Sequence, residues 1–215
     1  MKKCCVFKIK NAHFVRRMIE LEKLQIRNFG VNKNLDIENW TCPFELFSVW
    51  LKAASDTLAE PNAMSLATST KSGLPSVRTV LLKDFSQETG FTFYTNYGGR
   101  KAQELAENPN AALLLYWPQL HRQVRIEGSV EKVDRRISEE YFRSRPFASQ
   151  AGSAASPQSK VVPDREWLWN KNDELLKSEN IDMPNWGGYA VKPNWIEFWQ
   201  GQSNRLHDRI VFRNG

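Results

Sequence analysis

The sequence predicts a mainly β protein with flanking helices, its strands forming an antiparallel barrel or sandwich. Three observations carry that expectation. Short β-prone runs succeed one another from Met64 to Val133, turn residues separate them, and amphipathic helical stretches stand before and after the series. At 215 residues the chain can build one sizeable core, and nothing in its middle reads as a flexible linker. One domain over residues 36–215 is expected. Residues 1–35 form a basic arm without a convincing core pattern, open to disorder, with a short helix around Phe14 to Leu24.

From Pro43 the apolar positions Phe44, Phe47, Trp50, Leu51 and Ala54 recur at helical spacing, and Thr41 is the expected N-cap. The period then changes. Met64–Thr70 and Pro75–Lys83 are β-prone runs joined by Lys71-Ser72-Gly73, a hairpin connection. Phe91–Asn96, Ala111–Trp117 and Gln123–Val133 continue the series, punctuated by Tyr97-Gly98-Gly99 and Asn108-Pro109-Asn110. Between them Arg100–Glu107 has helical composition and one apolar side. Ser138–Arg145 and Asp164–Lys177 also read as helices. The stretch Phe147–Pro163 between them, rich in Ala, Ser, Gly and Pro, reads as a long irregular loop of the kind that is usually functional. Gly188–Val191, Trp195–Gln200 and Arg209–Arg213 close the series as three further strands, and no internal repeat is evident.

Composition narrows the function classes. With 41% apolar and 25% charged residues the chain is an ordinary soluble protein rather than a disordered one. Its net charge of +6 and pI near 9.3 suit anionic partners. The cations Arg78, Lys83, Arg125 and Arg145 stand singly between apolar positions, which favours discrete anion pockets over a nucleic-acid track. No apolar run approaches the roughly eighteen residues of a membrane span. Cys4, Cys5 and Cys42 lack metal-type spacing, and a reducing, cytoplasmic location is expected. The acid-free segment Met1–Met18 weakly resembles a mitochondrial transit peptide, but it lacks serine.

Several segments carry candidate chemistry. In Arg78-Thr79-Val80-Leu81-Leu82-Lys83, strand alternation sends Arg78 and Lys83 to opposite faces. Tyr94-Thr95-Asn96 precedes Arg100-Lys101 at a helix start, where cations oppose the helix dipole unless an anion sits there too. Tyr141 and Arg145 share a helix face, and Arg145-Pro146 ends that helix with a guanidinium free to fork onto a phosphate, near Ser149. Gln158-Ser159 supplies neutral donors. In Trp199–Arg209, Arg205, His207 and Arg209 alternate, so an extended chain would face all three toward a ligand that Trp199 helps enclose. His13 and His121 offer no ligand spacing with His207, and no metal is expected.

Together RTVLLK, FYTN, GRK, RQVR, YFRSRP, SQAG, WGGY, EFWQGQ and NRLHDR, in that order from Arg78 to Arg209, closely resemble the pyridoxamine (pyridoxine) 5′-phosphate oxidase family, flavin mononucleotide (FMN) enzymes of the split-barrel fold. The resemblance implies a homodimer with FMN at the subunit interface. Arg78, Thr79, Val80, Leu81, Tyr94, Thr95, Arg100 and Lys101 would contact FMN from one subunit. Gln123, Gln158, Ser159, Trp199 and Arg209 would complete the flavin site, some of them from the other subunit. Lys83, Tyr141, Arg145 and Ser149 would hold the substrate phosphate, with Arg205, Leu206 and His207 against the pyridine ring. Arg205 and His207 would orient that ring and manage protons. The implied reaction of vitamin B6 metabolism oxidises pyridoxamine or pyridoxine 5′-phosphate to pyridoxal 5′-phosphate, with O2 as acceptor and H2O2 as product.

The family pattern also implies a closing strand beyond Arg213, so a chain stopping at Gly215 is expected to be C-terminally short. Where the family often carries an Arg-x-x-Tyr element, this chain has Ile26-Arg27-Asn28-Phe29, to which no catalytic duty is assigned. The competing expectation is a non-catalytic flavin or pyridoxal-phosphate binder on the same barrel.

Overall fold

The computed structural model describes residues 40–182 and 185–213. The arm and every expectation placed on it, including its helix and Ile26–Phe29, lie outside the described residues.

Helix α1 (Pro43–Ser55) begins where its apolar spacing does, but its cap lies one residue later than expected. Cys42 is the extended N-cap, and Pro43 takes the first helical position, where its fixed φ suits the turn and its missing N–H is no loss; Thr41 does not cap. The helix buries Leu46, Phe47, Trp50 and Ala54 in the barrel core. Phe47 meets Phe85 and Phe91 edge-on at 4.8 and 5.0 Å, and Trp50 meets Phe198 at 5.2 Å.

Strands β1 (Ala63–Ser69) and β2 (Pro75–Leu81) form the expected hairpin. Its turn is closed by the Gly73 N–H on the Thr70 carbonyl at 2.9 Å, with Gly73 at φ +84°, a conformation that favours glycine. β3 (Asp84–Ser86) was not anticipated, since three residues are too few to display a period; it pairs with β4 (Gly90–Asn96). Then come α2 (Arg100–Glu107), β5 (Asn110–Trp117) and β6 (Arg122–Lys132), all near their expected bounds.

Three helices follow: α3 (Arg135–Ser144), α4 (Phe147–Ala155) and α5 (Arg165–Leu176). Helix α4 overturns the expected irregular loop across Phe147–Pro163. Its sequence FASQAGSAA has little apolar periodicity, but packing supplies what the pattern lacks: Ala151 is fully buried with Phe142, Ile181 and Trp186. The irregular part shrinks to the segment between α4 and α5, which contains Gln158 and Ser159.

The two strands expected at Gly188–Val191 and Trp195–Gln200 are one 15-residue strand, β7 (Trp186–Gln200). One edge of β7 pairs with β6 along its length. Its other edge pairs first with β4 and then with β8 (Asp208–Arg213). The sheet order is β2-β1-β5-β6-β7-β4-β3, with β8 also on β7, and every pairing is antiparallel. A register shift between Glu127 and Gly128 bends β6 where β7 changes partner. The Lys83 N–H donates to the Thr92 carbonyl at 2.8 Å, drawing the end of β2 onto β4 and closing a half-barrel around α1. Among the described residues no helix is long and apolar enough to cross a membrane.

Candidate functional site

A cavity of about 670 Å³ opens between the β2–β4 side of the sheet and helices α2, α3 and α4, a size typical of pockets for cofactors or small ligands. Of the residues singled out in the sequence it brings together Thr79, Val80, Leu81 and Lys83 from β2 and its end, Tyr94 and Thr95 from β4, and Lys101 from α2. Tyr141, Arg145, Ser149 and Gln158 complete its lining from the helical side.

One end is the N-terminus of α2. Gly99 caps this helix without a side-chain acceptor, and no acidic residue occupies the first turn. The Arg100 backbone N–H instead donates to Ser159 Oγ at 3.1 Å. Lys101 Nζ is buried and donates to Gln158 Oε1 at 2.6 Å and Thr95 Oγ1 at 3.0 Å. Burial, reinforced by the charge of Arg78, pulls its pKa down to about 8. A buried ammonium held only by neutral oxygens beside further cations at a helix N-terminus suits a phosphate. The donors here therefore fit the phosphate of FMN.

The other end is an aromatic wall carrying a guanidinium. Tyr94 stacks on Tyr141 at 4.1 Å and on Trp186 at 5.2 Å. Arg145 lies just past the end of α3, its guanidinium 5.0 Å from the Trp186 ring, with Nη2 donating to the Ser149 carbonyl at 3.1 Å. Lys83 and the Ser149 side of α4 line the same cavity, so the cations Lys83, Lys101 and Arg145 converge on one space from three different parts of the chain.

Arg78 and Arg100 do not line the cavity. As alternation requires, Arg78 lies on the core face of β2, where its guanidinium meets Thr68, Ser76 and the Leu66 carbonyl, and Glu104 at 3.2 Å. Arg100 Nε donates to the other Glu104 oxygen at 2.7 Å. Glu104 was missed by the sequence reading, although its spacing of four from Arg100 is the signal for such a pair. Trp186 was noted only as part of WGGY.

Gln123, Trp199, Arg205, Leu206, His207 and Arg209 lie elsewhere. Cross-strand register puts Thr79, Ser65, Leu114, Arg125, Glu197 and Val211 on one face of the sheet, opposite the core. Gln123, Trp199 and Arg209 share that face, but they stand at the other end of β7 from Trp186 and do not line the cavity. The expected alternation of Arg205, His207 and Arg209 fails at its first member. Arg205 sits in a 3-10 turn, Ser203–Arg205, at φ +61°, and only Asp208–Arg213 is strand. His207 packs 4.7 Å from the Trp199 ring and its Nδ1 accepts the Gln202 N–H. Arg209 pairs with buried Glu197 at 2.7 Å. Leu206 is exposed.

Comparison with known proteins matches this arrangement to a family. The pyridoxamine 5′-phosphate oxidase profile covers residues 51–177, and that of the pyridoxine 5′-phosphate oxidase C-terminal dimerisation region covers residues 186–215. A pyridoxine/pyridoxamine 5′-phosphate oxidase of Leptospira interrogans is 49% identical over 202 residues, spanning 92% of this chain and 90% of that protein. The chain belongs to the pyridoxamine 5′-phosphate oxidase family.

Other members agree. The pyridoxine-5′-phosphate oxidase of Bos taurus is 51% identical over 179 residues, covering 80% of this chain and 68% of its own. Among solved structures, PhzG from Burkholderia lata 383, in complex with tetrahydrophenazine-1-carboxylic acid, superimposes with a TM-score of 0.81 at 30% identity, covering 87% of this chain and 95% of PhzG. An FMN binding protein of Nostoc punctiforme, related to pyridoxamine 5′-phosphate oxidase, shares the fold with a TM-score of 0.67 at 16% identity, over 82% of this chain and 93% of its own. The split-barrel fold expected of the family is the fold observed. The family's dimerisation region spans β7 and β8.

Proposed function

We propose that this chain is an FMN-dependent oxidase converting pyridoxamine 5′-phosphate and pyridoxine 5′-phosphate to pyridoxal 5′-phosphate, with O2 as acceptor and H2O2 as product. Ammonia leaves when the amine is the substrate. The observation that carries this reading is one cavity lined both by Lys101 at the N-terminus of α2 and by Lys83 and Arg145, cations enough for two phosphates.

At the α2 end, Lys101, Thr95, Gln158 and Ser159 would hold the FMN phosphate, with Arg78 and Arg100 behind them. Thr79, Val80, Leu81 and Tyr94 line the space for the remainder of the flavin. Bound FMN supplies the hydride acceptor; the protein contributes distance, facing and charge. Lys83, Tyr141, Arg145 and Ser149 would hold the substrate phosphate, which favours a phosphorylated substrate over a carboxylated tricycle of the PhzG kind.

A second copy of the chain completes the site in this reading. Val77, Tyr116 and Val211 are exposed apolar side chains on the sheet face that carries Gln123, Trp199 and Arg209, as expected of an interface. The partner's copy of that face would bring Gln123, Trp199 and Arg209 to the flavin. Arg205, Leu206 and His207 would meet the pyridine ring, where Arg205 and His207 orient it and manage protons; neither is assigned as an essential base.

The test is the absorbance of the purified protein. A flavin band that bleaches on anaerobic addition of pyridoxine 5′-phosphate, and returns in air with peroxide and pyridoxal 5′-phosphate, is expected. A protein that retains no flavin overturns the reading, and ligand binding without turnover replaces it with a non-catalytic binder.

A further inference from the structure

Buried among the cations behind the α2 end of the cavity is one carboxylate, Glu104, with only 3% of its side chain exposed. It accepts from Thr68 Oγ1 and Ser76 Oγ, both at 2.5 Å, from Arg78 Nη2 at 3.2 Å and from Arg100 Nε at 2.7 Å. Its neighbours thus tie β1 and β2 to the first turn of α2. Arg78 lies close enough to Lys101 to lower the pKa of that ammonium.

A carboxylate next to a phosphate site is at first sight misplaced, because it repels the ligand. The charge count resolves this. Arg78, Arg100 and Lys101 carry three positive charges and Glu104 one negative, leaving a net +2. A phosphate monoester carries nearly two negative charges above about pH 6, its second pKa. Without Glu104, three cations would share one corner without its counter-charge: Arg78 and Lys101 would keep only neutral oxygens, and the bond that holds Arg100 through Nε would be lost. With it, Arg100 is held through Nε, which leaves the rest of its fork for an anion at the helix N-terminus.

We propose that Glu104 is a positioning residue for the cofactor phosphate: it touches no ligand itself, but holds Arg78 and Arg100 behind Lys101 and the first turn of α2, in the geometry in which that corner receives the FMN phosphate. The inference rests on the flavin reading above and extends it to a residue that the sequence motifs left without a role.

Charge and geometry predict opposite signs, so the two separate cleanly. If Glu104 acted only through its charge, Glu104→Gln would tighten FMN binding, since the pocket becomes more positive. If it positions the cations, Glu104→Gln weakens FMN binding by about tenfold or more, the usual effect of losing hydrogen bonds to a charged group. Riboflavin, which has no phosphate, would bind the variant within about twofold of the parent, because no interaction with it is lost.

The experiment is titration of the full-length apoprotein with FMN and with riboflavin, followed by flavin fluorescence, for the parent, Glu104→Gln and Glu104→Asp. Aspartate keeps the charge and the fold but is one methylene too short to hold Arg100 and both hydroxyls together. A fall in FMN preference over riboflavin in the variants supports the proposal. Unchanged or tightened FMN binding overturns it, as does an equal loss of both flavins. Should Glu104→Gln not fold, the Asp variant alone decides. A parent that binds neither flavin would sink the oxidase reading itself, whereas a parent that prefers FMN beside indifferent variants would sink only the role of Glu104.

Discussion

Trp186 stacks its indole 5.0 Å from the guanidinium of Arg145, while the same ring lies 12° from coplanar with Tyr141. The first residue of β7 thereby fixes the direction of a cation that leaves the end of α3. A planar, delocalised cation is needed for that stacking and for forking onto a phosphate.

Arg145→Lys keeps the charge but loses both. It is expected to raise the KM for pyridoxine 5′-phosphate about tenfold or more, the scale of a charge-assisted hydrogen bond, while FMN binding is unchanged. Steady-state kinetics beside flavin titration check this. A KM within twofold of the parent contradicts the assignment.

Acid stability should report Glu104. Burial would raise its carboxyl, but hydrogen bonds from Ser76, Thr68 and Arg100 outweigh burial and hold it at about 2, below the ordinary 4.5. A depressed carboxyl stabilises the fold fully above its unfolded pKa and loses that contribution as pH falls through the folded one. Between pH 4.5 and 2 the parent should therefore lose stability more steeply than Glu104→Gln, measured by urea unfolding at each pH.

Lys101 predicts a slope of the same sign at the alkaline end, for the opposite reason: the folded state disfavours its charge rather than favouring it. Its pKa falls from 10.5 to about 8 through burial and the Arg78 charge, so between those values the unfolded chain binds more protons than the folded one. Apoprotein stability should gain from Lys101 as pH rises through that window. Lys101→Met should remove the gain, with the curves of parent and variant drawing together above pH 10.5.

Close approach explains a glycine of WGGY. A Cβ on Gly188 would stand 2.8 Å from Val133 Cγ2 and 2.9 Å from Tyr94 Cε1, in a packed part of the sheet. Gly188→Ala is expected to cost about 1–3 kcal/mol through overpacking. Because Tyr94 is one of the atoms displaced, flavin affinity should fall along with the melting temperature; an unshifted melt would refute the packing argument.

Subunit complementation tests the shared site. Arg145→Ala and Arg209→Ala should each be nearly inactive as homodimers. Mixed by co-refolding they give heterodimers in which one of the two sites carries neither change, restoring about a quarter of parental activity when subunits pair at random. No recovery would place both residues in a site built by one chain.

Much of the fold was legible because its signals are local. The β1–β2 hairpin announces itself through Lys71-Ser72-Gly73, and α2 through its composition. What misled the reading was context. Helix α4 has too few apolar residues to show a face, yet Ala151 is buried by Trp186 and Phe142, far off in sequence. The two strands expected at Gly188–Val191 and Trp195–Gln200 leave out Lys192-Pro193-Asn194; proline is rare within a strand, but Pro193 stands opposite Gly128 at the register shift, where β6 and β7 bend.

The sequence by itself determined which residues carry charge and aromatic surface, and the ordered segments RTVLLK, FYTN, YFRSRP and NRLHDR marked the family before any geometry was known. Alternation sent Arg78 and Lys83 apart, and they do meet different surroundings, Arg78 at Glu104 and Lys83 at the cavity, although β2 ends at Leu81 and Lys83 lies beyond it. Only the tertiary structure decided that Arg78 turns inward to Glu104, that Arg205 leaves the extended line of His207 and Arg209, and that Lys101 is buried beside Gln158. These depend on which strands become neighbours and how a turn closes, and both are decided by packing between segments tens of residues apart. A period of two along one strand reports which way a side chain leaves the backbone and carries no information about what it meets there.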